Sequence, residues 1–213
     1  MPTDNPVSFA EPYRLLSKLQ ASLKPSLSVL QNELVSEALE RIRQLDWLLA
    51  DVRRQLEGHV QLMDTVSHLP HEAPTPTGPG TSSYRVVVPD ELDAQIEACR
   101  FVAKLHAEAF VYFASRLRKI LKGHDLALPQ LQKFESPTIR DIRNHLLEHP
   151  EGAQSRIFNS SWMSSPATGV HLKALRSTGA PRAVEDPGLF VSAAELRDAL
   201  TRTFKNALEV GAA

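Results

Sequence analysis

The sequence predicts an all-α fold: a helical bundle of four to five helices with a small β-hairpin insertion before the last helix. Apolar residues recur at helical spacing along most of the chain, and two of these stripes are long. Residues 151–190 lack that spacing and suggest extended structure instead. The 213 residues are enough for one domain with its own core, or for a domain with an appendage.

Two helices are predicted in residues 1–67, and we expect both to pack on the bundle. The first spans about residues 9–23 and stops before Pro25. The second runs from about Ser26 to Val66, which is roughly 60 Å of unbroken helix. A helix of that length should either break near Gly58 or be covered by another helix or protomer.

Residues 68–86 are predicted to form a linker. Four prolines lie between His68 and Ser83, together with glycines, serines and threonines that do not sustain a helix. The stretch 84–88 is either a short extended segment or an ordered entry into the next helix. The remaining residues, 87–213, are predicted to form the helical core.

Three elements of that core are predicted as helices. The long one runs from about Asp90 to Lys122, with an apolar seam at 3.5-residue spacing and Gly123 as its stop. A short one begins at Ser136-Pro137 and must end near His149, because Pro150 disfavours helical geometry in the residue before it. The last one opens with a capping box at residues 192–195. The hairpin is predicted at about residues 156–176.

Composition excludes several classes of function. The net charge of −1 gives no global signal for nucleic acid or an anionic membrane, so any such contact needs a local basic patch. The one cysteine, Cys99, excludes an internal disulfide and a zinc ribbon, and the eight histidines show no paired metal spacing. We therefore expect no metal and no cofactor, since dinucleotide and P-loop glycine patterns are also absent. The chain shows neither a membrane-spanning run nor a signal peptide, which predicts a cytoplasmic protein.

The richest polar chemistry lies in Arg143-Asn144-His145-Leu146-Leu147-Glu148-His149. In an ideal helix Arg143 and His149 point about 120° apart, one on each side of the stripe that Ile139, Ile142 and Leu146 form. A cation and an imidazole that border a groove between helices can hold a phosphate group.

The pattern Arg143-Asn144-x4-His149 resembles the motif of the HEPN (higher eukaryotes and prokaryotes nucleotide-binding) superfamily, an arginine and a polar residue followed by a histidine. The resemblance implies compact helical domains in symmetric dimers, many of them metal-independent endoribonucleases of toxin and antiviral systems. It also implies that Arg143 and His149 are catalytic and that Asn144 orients them. The chain departs from many catalytic relatives by having Glu151 where they have a tyrosine.

The residue types suit RNA cleavage through the 2′-hydroxyl. Histidine can move protons near neutral pH, and arginine can hold two phosphate oxygens while it stays charged. One histidine cannot easily serve both ends of an in-line displacement, whereas two copies related by a dimer axis can, which predicts a homodimer. A second frame, Arg140-Asp141-x3-His145, fits the same loose pattern.

Two further groups each have an ordinary and a functional interpretation. A basic cluster ends the long helix, and we favour a solvated helix C-terminus over an RNA backbone contact for it. The possible RNA-contacting residues are Arg116, Lys119, Lys122, Arg140 and His145. His106 lies on the apolar seam and should be a satisfied core histidine, unless it faces His149 across a groove.

Three functions are therefore left open by the sequence. The first is a metal-independent endoribonuclease of toxin or defence type that binds RNA and pairs with a cognate antitoxin or another protein. The second is a non-catalytic HEPN-like protein that binds a nucleotide or a partner. The third is an unrelated helical interaction or scaffold protein that docks partners on the helix predicted at residues 26–66.

Overall fold

The structure is a computed structural model, and it describes residues 7–70, 75–78, 81–83, 86–126, 128–135, 156–161, 171–178, 180–185 and 189–211. Only the backbone is described for residues 75–83 and 156–185 within these ranges, and for 189–192 and 211. Within these residues the chain is mostly helical and has five helices, two of them long, so the predicted helical architecture is confirmed.

The helices and strands follow one another in this order. The two N-terminal helices are α1 (Ala10–Leu23) and α2 (Val29–Ser67), and a short ladder of β1 (Thr75–Gly78) and β2 (Thr81–Ser83) follows them. The remaining elements are α3 (Asp90–Lys122), α4 (Pro129–Gln132), β3 (Arg156–Ser161), β4 (His171–Thr178), β5 (Ala180–Glu185) and α5 (Leu189–Gly211).

The boundaries refine the expectations from sequence in three places. The helix α2 continues through Gly58 without a break. Of the two predicted alternatives, the structure therefore shows the second, in which a neighbouring helix, α3, covers α2. The single turn α4 follows a proline start that the sequence analysis did not single out. The last helix begins at Leu189, three residues before the predicted capping box at 192. The helix predicted to start at Ser136-Pro137 lies outside the described residues.

The strands β3, β4 and β5 form an antiparallel ladder in chain order, with Arg156 opposite Arg176 and Lys173 opposite Glu185. The prediction concerned a hairpin inserted into the helical domain at about residues 156–176. It stays a prediction, because the side chains of these strands lie outside the described residues and their packing on the helices is not shown.

Local chemistry explains where the long helices begin and end. Ser28 caps α2 with a reciprocal pair: the Gln31 backbone N–H donates to Ser28 Oγ at 3.2 Å, and the Ser28 N–H donates to Gln31 Oε1 at 2.9 Å. The first turn of α3 carries three acidic residues and its last turn carries Lys119 and Lys122, which suits the helix dipole. A Cβ at Gly123 would lie 3.1 Å from the Lys119 carbonyl oxygen, so a bulkier residue there would crowd the helix end.

The helices α2 and α3 form a long antiparallel hairpin on which the core is built. Glu37 of α2 meets Arg116 of α3 at one end, and Gly58 lies next to Cys99 towards the other. The helices α1 and α5 pack on each other and close the core over the first half of α2. The largest fully buried side chains are Phe9, Phe110, Phe134, Phe204, Leu16, Ile42, Leu45, Leu49, Leu117, Leu121, Leu126 and Leu131.

The outer half of this hairpin is covered less. Among the described residues after Val52, α2 buries one side chain, that of His59. Among those before Ala103, α3 likewise buries one, that of Ile96. The two helices there pack mainly on each other and extend beyond the core as an arm. We call residues 53–67 and 90–102 the arm.

The arm contains a histidine that should make stability depend on pH. Burial lowers the pKa of His59 from 6.5 and the charge of Arg100 lowers it further, although the Ile96 carbonyl and Glu97 act in the opposite direction. The folded chain therefore binds fewer protons than the unfolded chain below pH 6.5, and the free energy of unfolding should fall as pH drops from about 6.5 towards the lowered pKa. We expect His59→Gln to flatten this dependence in urea unfolding at pH 7.5 and 5.5.

The matched control for this prediction is His68→Gln, at the exposed C-cap of α2. That variant should keep the wild-type loss of stability between pH 7.5 and 5.5. The pKa of Glu37 is lowered from 4.5, so Glu37 changes the free energy of unfolding below that pH and not between pH 5.5 and 7.5. An equal pH dependence in His59→Gln and wild type would show that the buried imidazole is not its source.

Candidate functional site

The residues with catalytic roles in the sequence prediction cannot be placed. Arg143, Asn144 and His149 lie outside the described residues, as do Arg140 and His145 of the second frame. The described chain stops at Glu135, directly before that segment, and Phe134 beside it is fully buried in the core. The segment therefore starts from a fixed point at the edge of the helical core.

The predicted basic cluster lies on the last turns of α3, where carboxylates partly neutralise it. Arg116 Nε donates to Glu37 Oε1 at 3.1 Å, and Lys122 is paired with Glu135. Lys119 is exposed. Two of the three predicted RNA contacts on α3 thus already have an acidic partner, which favours the interpretation of a stabilised helix C-terminus.

Glu37 is the centre of a small network between α2 and α3. Burial tends to raise the pKa of Glu37, but hydrogen bonds and charge from Arg116 and Arg41 outweigh burial and lower the pKa. Arg41 also places its guanidinium 5.1 Å from the centre of the Phe113 ring. These contacts join the two long helices and give Arg116 a structural role.

A polar cleft lies between α4 and the second half of α5, next to Glu135. Its volume is about 310 Å³. It contains two cations, Lys133 and Arg202, and one carboxylate, Glu135, which Lys122 partly neutralises. The residues that line it are Gln130, Lys133, Glu135, Ala199, Arg202, Thr203, Asn206 and Val210.

The composition of the cleft suits an anionic group. Lysine and arginine supply charge-assisted hydrogen bonds, while the Gln130 and Asn206 amides can donate further ones. No pattern along the chain identifies this site, because its two walls are about 70 residues apart in sequence and meet only through the packing of α4 on α5. It lies where the segment with Arg143 and His149 begins.

A second cluster lies in the middle of the α2–α3 hairpin, around a buried carboxylate. Asp51 is only 5% exposed. Arg54 Nη1 donates to Asp51 Oδ1 at 2.5 Å, and His106 Nδ1 lies 2.7 Å from Asp51 Oδ2. The second contact is an ion-pair contact when His106 is protonated, not a well-aligned hydrogen bond. The Trp47 ring covers the imidazole, with 5.4 Å between ring centres.

His106 therefore differs from the expectation of a core histidine. Its side chain is 20% exposed and borders the carboxylate instead of lying among apolar groups. The sequence offered one signal for Asp51 that was not used: a carboxylate directly before Val52, inside an otherwise apolar stripe of α2. Arg54 holds this carboxylate within α2 and the His106 contact links it to α3, so Asp51 can help to fix the α2–α3 register.

Among the residues that the structure describes, no group of three or more His, Cys, Asp or Glu side chains could hold a metal ion. None of the described helices is both long and apolar enough to cross a membrane. Cys99 is half-buried against Gly58 of α2, with 3.6 Å between its Sγ and the position that a Cβ would take.

No family model, no curated protein and no solved structure matches this chain.

Proposed function

We propose that this chain is a HEPN-like, metal-independent endoribonuclease in which Arg143, Asn144 and His149 form the active site. The observation that carries the proposal is the Arg143-Asn144-x4-His149 motif in a chain whose described part is a helical bundle. The cleft beside Glu135 adds support, since it offers Lys133 and Arg202 to an RNA backbone at the start of the motif segment.

The reaction needs no group beyond these side chains and the substrate. His149 of one copy removes the proton from the RNA 2′-hydroxyl, whose oxygen then attacks the phosphorus. The bond between phosphorus and the 5′-oxygen breaks, and that oxygen takes a proton from the histidine of the second copy. Arg143 holds the charge that develops on the phosphate oxygens, and the products are a 2′,3′-cyclic phosphate and a 5′-hydroxyl. The proposal therefore includes a homodimer.

Cleavage of single-stranded RNA in excess EDTA tests this function. Wild-type protein should cleave, and His149→Ala should reduce the rate at least about 100-fold, because a positioned acid–base group contributes that much or more. Cleavage products should carry 2′,3′-cyclic phosphate ends, visible by mass spectrometry. A substrate with 2′-deoxynucleotides throughout should stay intact.

The matched control is His124→Ala, an exposed histidine in the turn after α3, which should cleave at the wild-type rate. His145→Ala separates the two motif frames: a larger loss there than in His149→Ala would assign the activity to Arg140 and His145. Undiminished cleavage in both variants, or cleavage that EDTA abolishes, would contradict the proposal.

Binding without cleavage is the second candidate function, and the described surface favours it over the first in one respect. Arg116 and Lys122 already have acidic partners, whereas several large apolar side chains of α2 and α3 are exposed. A helical protein with such a surface suits a protein partner, a cognate antitoxin among them. Absence of cleavage from well-folded protein would leave this candidate in place.

A further inference from the structure

The helix α3 carries two apolar seams on opposite faces. One seam, with Ala103, Phe110 and Leu117, is buried against the core. The other consists of Ala94, Ala98, Phe101, Leu105 and Tyr112, at successive spacings of 4, 3, 4 and 7 residues, and all five side chains are exposed. We call this second set the outer seam. Its spacing is the one by which helices pack side by side over a distance of about 27 Å.

The large side chains of the outer seam are more exposed than isolated surface apolar residues require. Phe101 is 67% exposed, Tyr112 54% and Leu105 49%. Together these three residues expose apolar area on the order of 300 Å². The largest apolar patch on a single protein is often a binding surface.

The seam is complementary to itself when two copies run antiparallel. With the two-fold axis between residues 101 and 105, Phe101 of one copy lies opposite Leu105 of its partner, and Tyr112 lies opposite Ala94. Large side chains thus face small ones at both ends and two large ones meet at the centre, which allows close interdigitation. In the same register Ala98 lies opposite Glu108, whose carboxylate can stay at the rim.

The charged groups along one flank of the seam are paired within each copy. Arg100 is paired with Glu97 at 2.6 Å and Lys104 with Glu108 at 3.9 Å, so the flank carries no net charge. A standard interface buries about 800 Å² per partner, of which roughly 65%, or about 520 Å², is apolar in homodimers. The large side chains of the outer seam supply about 300 Å² of apolar area, which suits a small interface.

We propose that the outer seam is a homodimer interface, in which α3 of one copy packs antiparallel on α3 of a second copy. The two α2–α3 hairpins then form a four-helix layer. The interface goes beyond the proposed ribonuclease function, since it is argued from the described surface of α3 alone. Its two-fold axis lies about 28 Å along α3 from Lys122, which contacts Glu135, so this dimer separates the starts of the two motif segments and a two-copy active site needs a further contact. Dimer formation is measured without RNA, so either proposal can fail without the other.

Sedimentation velocity over a range of concentrations tests the interface. Wild type should sediment as a dimer of twice 23.6 kDa at micromolar concentration. Leu105→Glu should weaken the dimer at least about thirtyfold, because it places two like charges at the centre of an apolar contact. Leu30→Glu, on a similarly exposed leucine of α2, is the matched control and should leave the dimer intact. Circular dichroism should show the same helix content in all three proteins.

Cysteine cross-linking tests the register. In a Cys99→Ser background, a mixture of Ala94→Cys and Tyr112→Cys proteins should form a disulfide-linked heterodimer on mild oxidation, faster than either variant links to itself. Three results would overturn the proposal. One is monomeric wild type at 100 µM or above. Another is an equal effect of Leu105→Glu and Leu30→Glu. The third is faster linkage of Tyr112→Cys to itself, which indicates a parallel arrangement.

Discussion

Phe110→Ala should lower the free energy of unfolding by about 3–5 kcal/mol, which is the typical cost of removing a fully buried phenylalanine ring. Phe110 has no exposed surface, and its ring centre lies 6.0 Å from that of Phe9. Phe9 itself is fixed at the start of α1, where its N–H donates to Asp46 Oδ1 of α2 at 2.6 Å. The cavity would therefore open where α1, α2 and α3 meet, and no helix can close it alone.

Urea unfolding followed by circular dichroism measures this loss, and the melting temperature should fall by roughly 10 °C for a chain of this length. Phe101→Ala is the matched control, since it makes the same chemical change on the outer face of the same helix. At protein concentrations low enough to exclude association it should cost no more than about 0.5 kcal/mol. A similar loss in both variants would show that the face of α3 towards Phe9 is not the core.

The helical architecture was predictable because helical periodicity is a local property of the sequence. The seam with Phe110 and Leu117 fixes α3 within a few residues, and Gly123 marks its end. The cap at Ser28 was less visible, because several serines precede α2 and only the reciprocal contact with Gln31 selects one of them. The turn α4 is too short to show any period.

The candidate sites were harder to predict, because they depend on contacts between distant parts of the chain. Glu37 neutralises Arg116 across 79 residues, and a count of basic residues at the end of α3 cannot reveal that. The cleft with Lys133 and Arg202 likewise exists only after α4 packs on α5. The outer seam is different: the heptad spacing of Phe101, Leu105 and Tyr112 was present in the sequence, but a second apolar face on a helix already assigned to the core was not considered.

Removal of the His106 side chain and removal of the Asp51 charge should lower the free energy of unfolding by different amounts. His106→Ala should cost about 2 kcal/mol, because it leaves a carboxylate that is only 7% exposed with Arg54 as its remaining partner. Asp51→Asn should cost only about 1 kcal/mol, because both groups left behind reach water: the Arg54 side chain is 69% exposed and the His106 side chain is 20% exposed. Both variants remove the contact between Asp51 and His106, and the difference follows from how far the remaining groups are buried.

A double-mutant cycle at neutral pH measures the coupling between these residues. The loss in the free energy of unfolding should be smaller in the double variant than the sum of the two single losses, by about 1–2 kcal/mol. The reason is that the buried carboxylate, which His106→Ala leaves with one partner, is absent from the double variant. Arg54→Ala serves as the control for the exposed partner and should cost under about 1 kcal/mol. A larger loss in Asp51→Asn than in His106→Ala would contradict the assignment, because the carboxylate would then stabilise the fold through contacts other than the imidazole. Agreement would establish that the contact between Asp51 and His106 couples α2 to α3 in the middle of the hairpin.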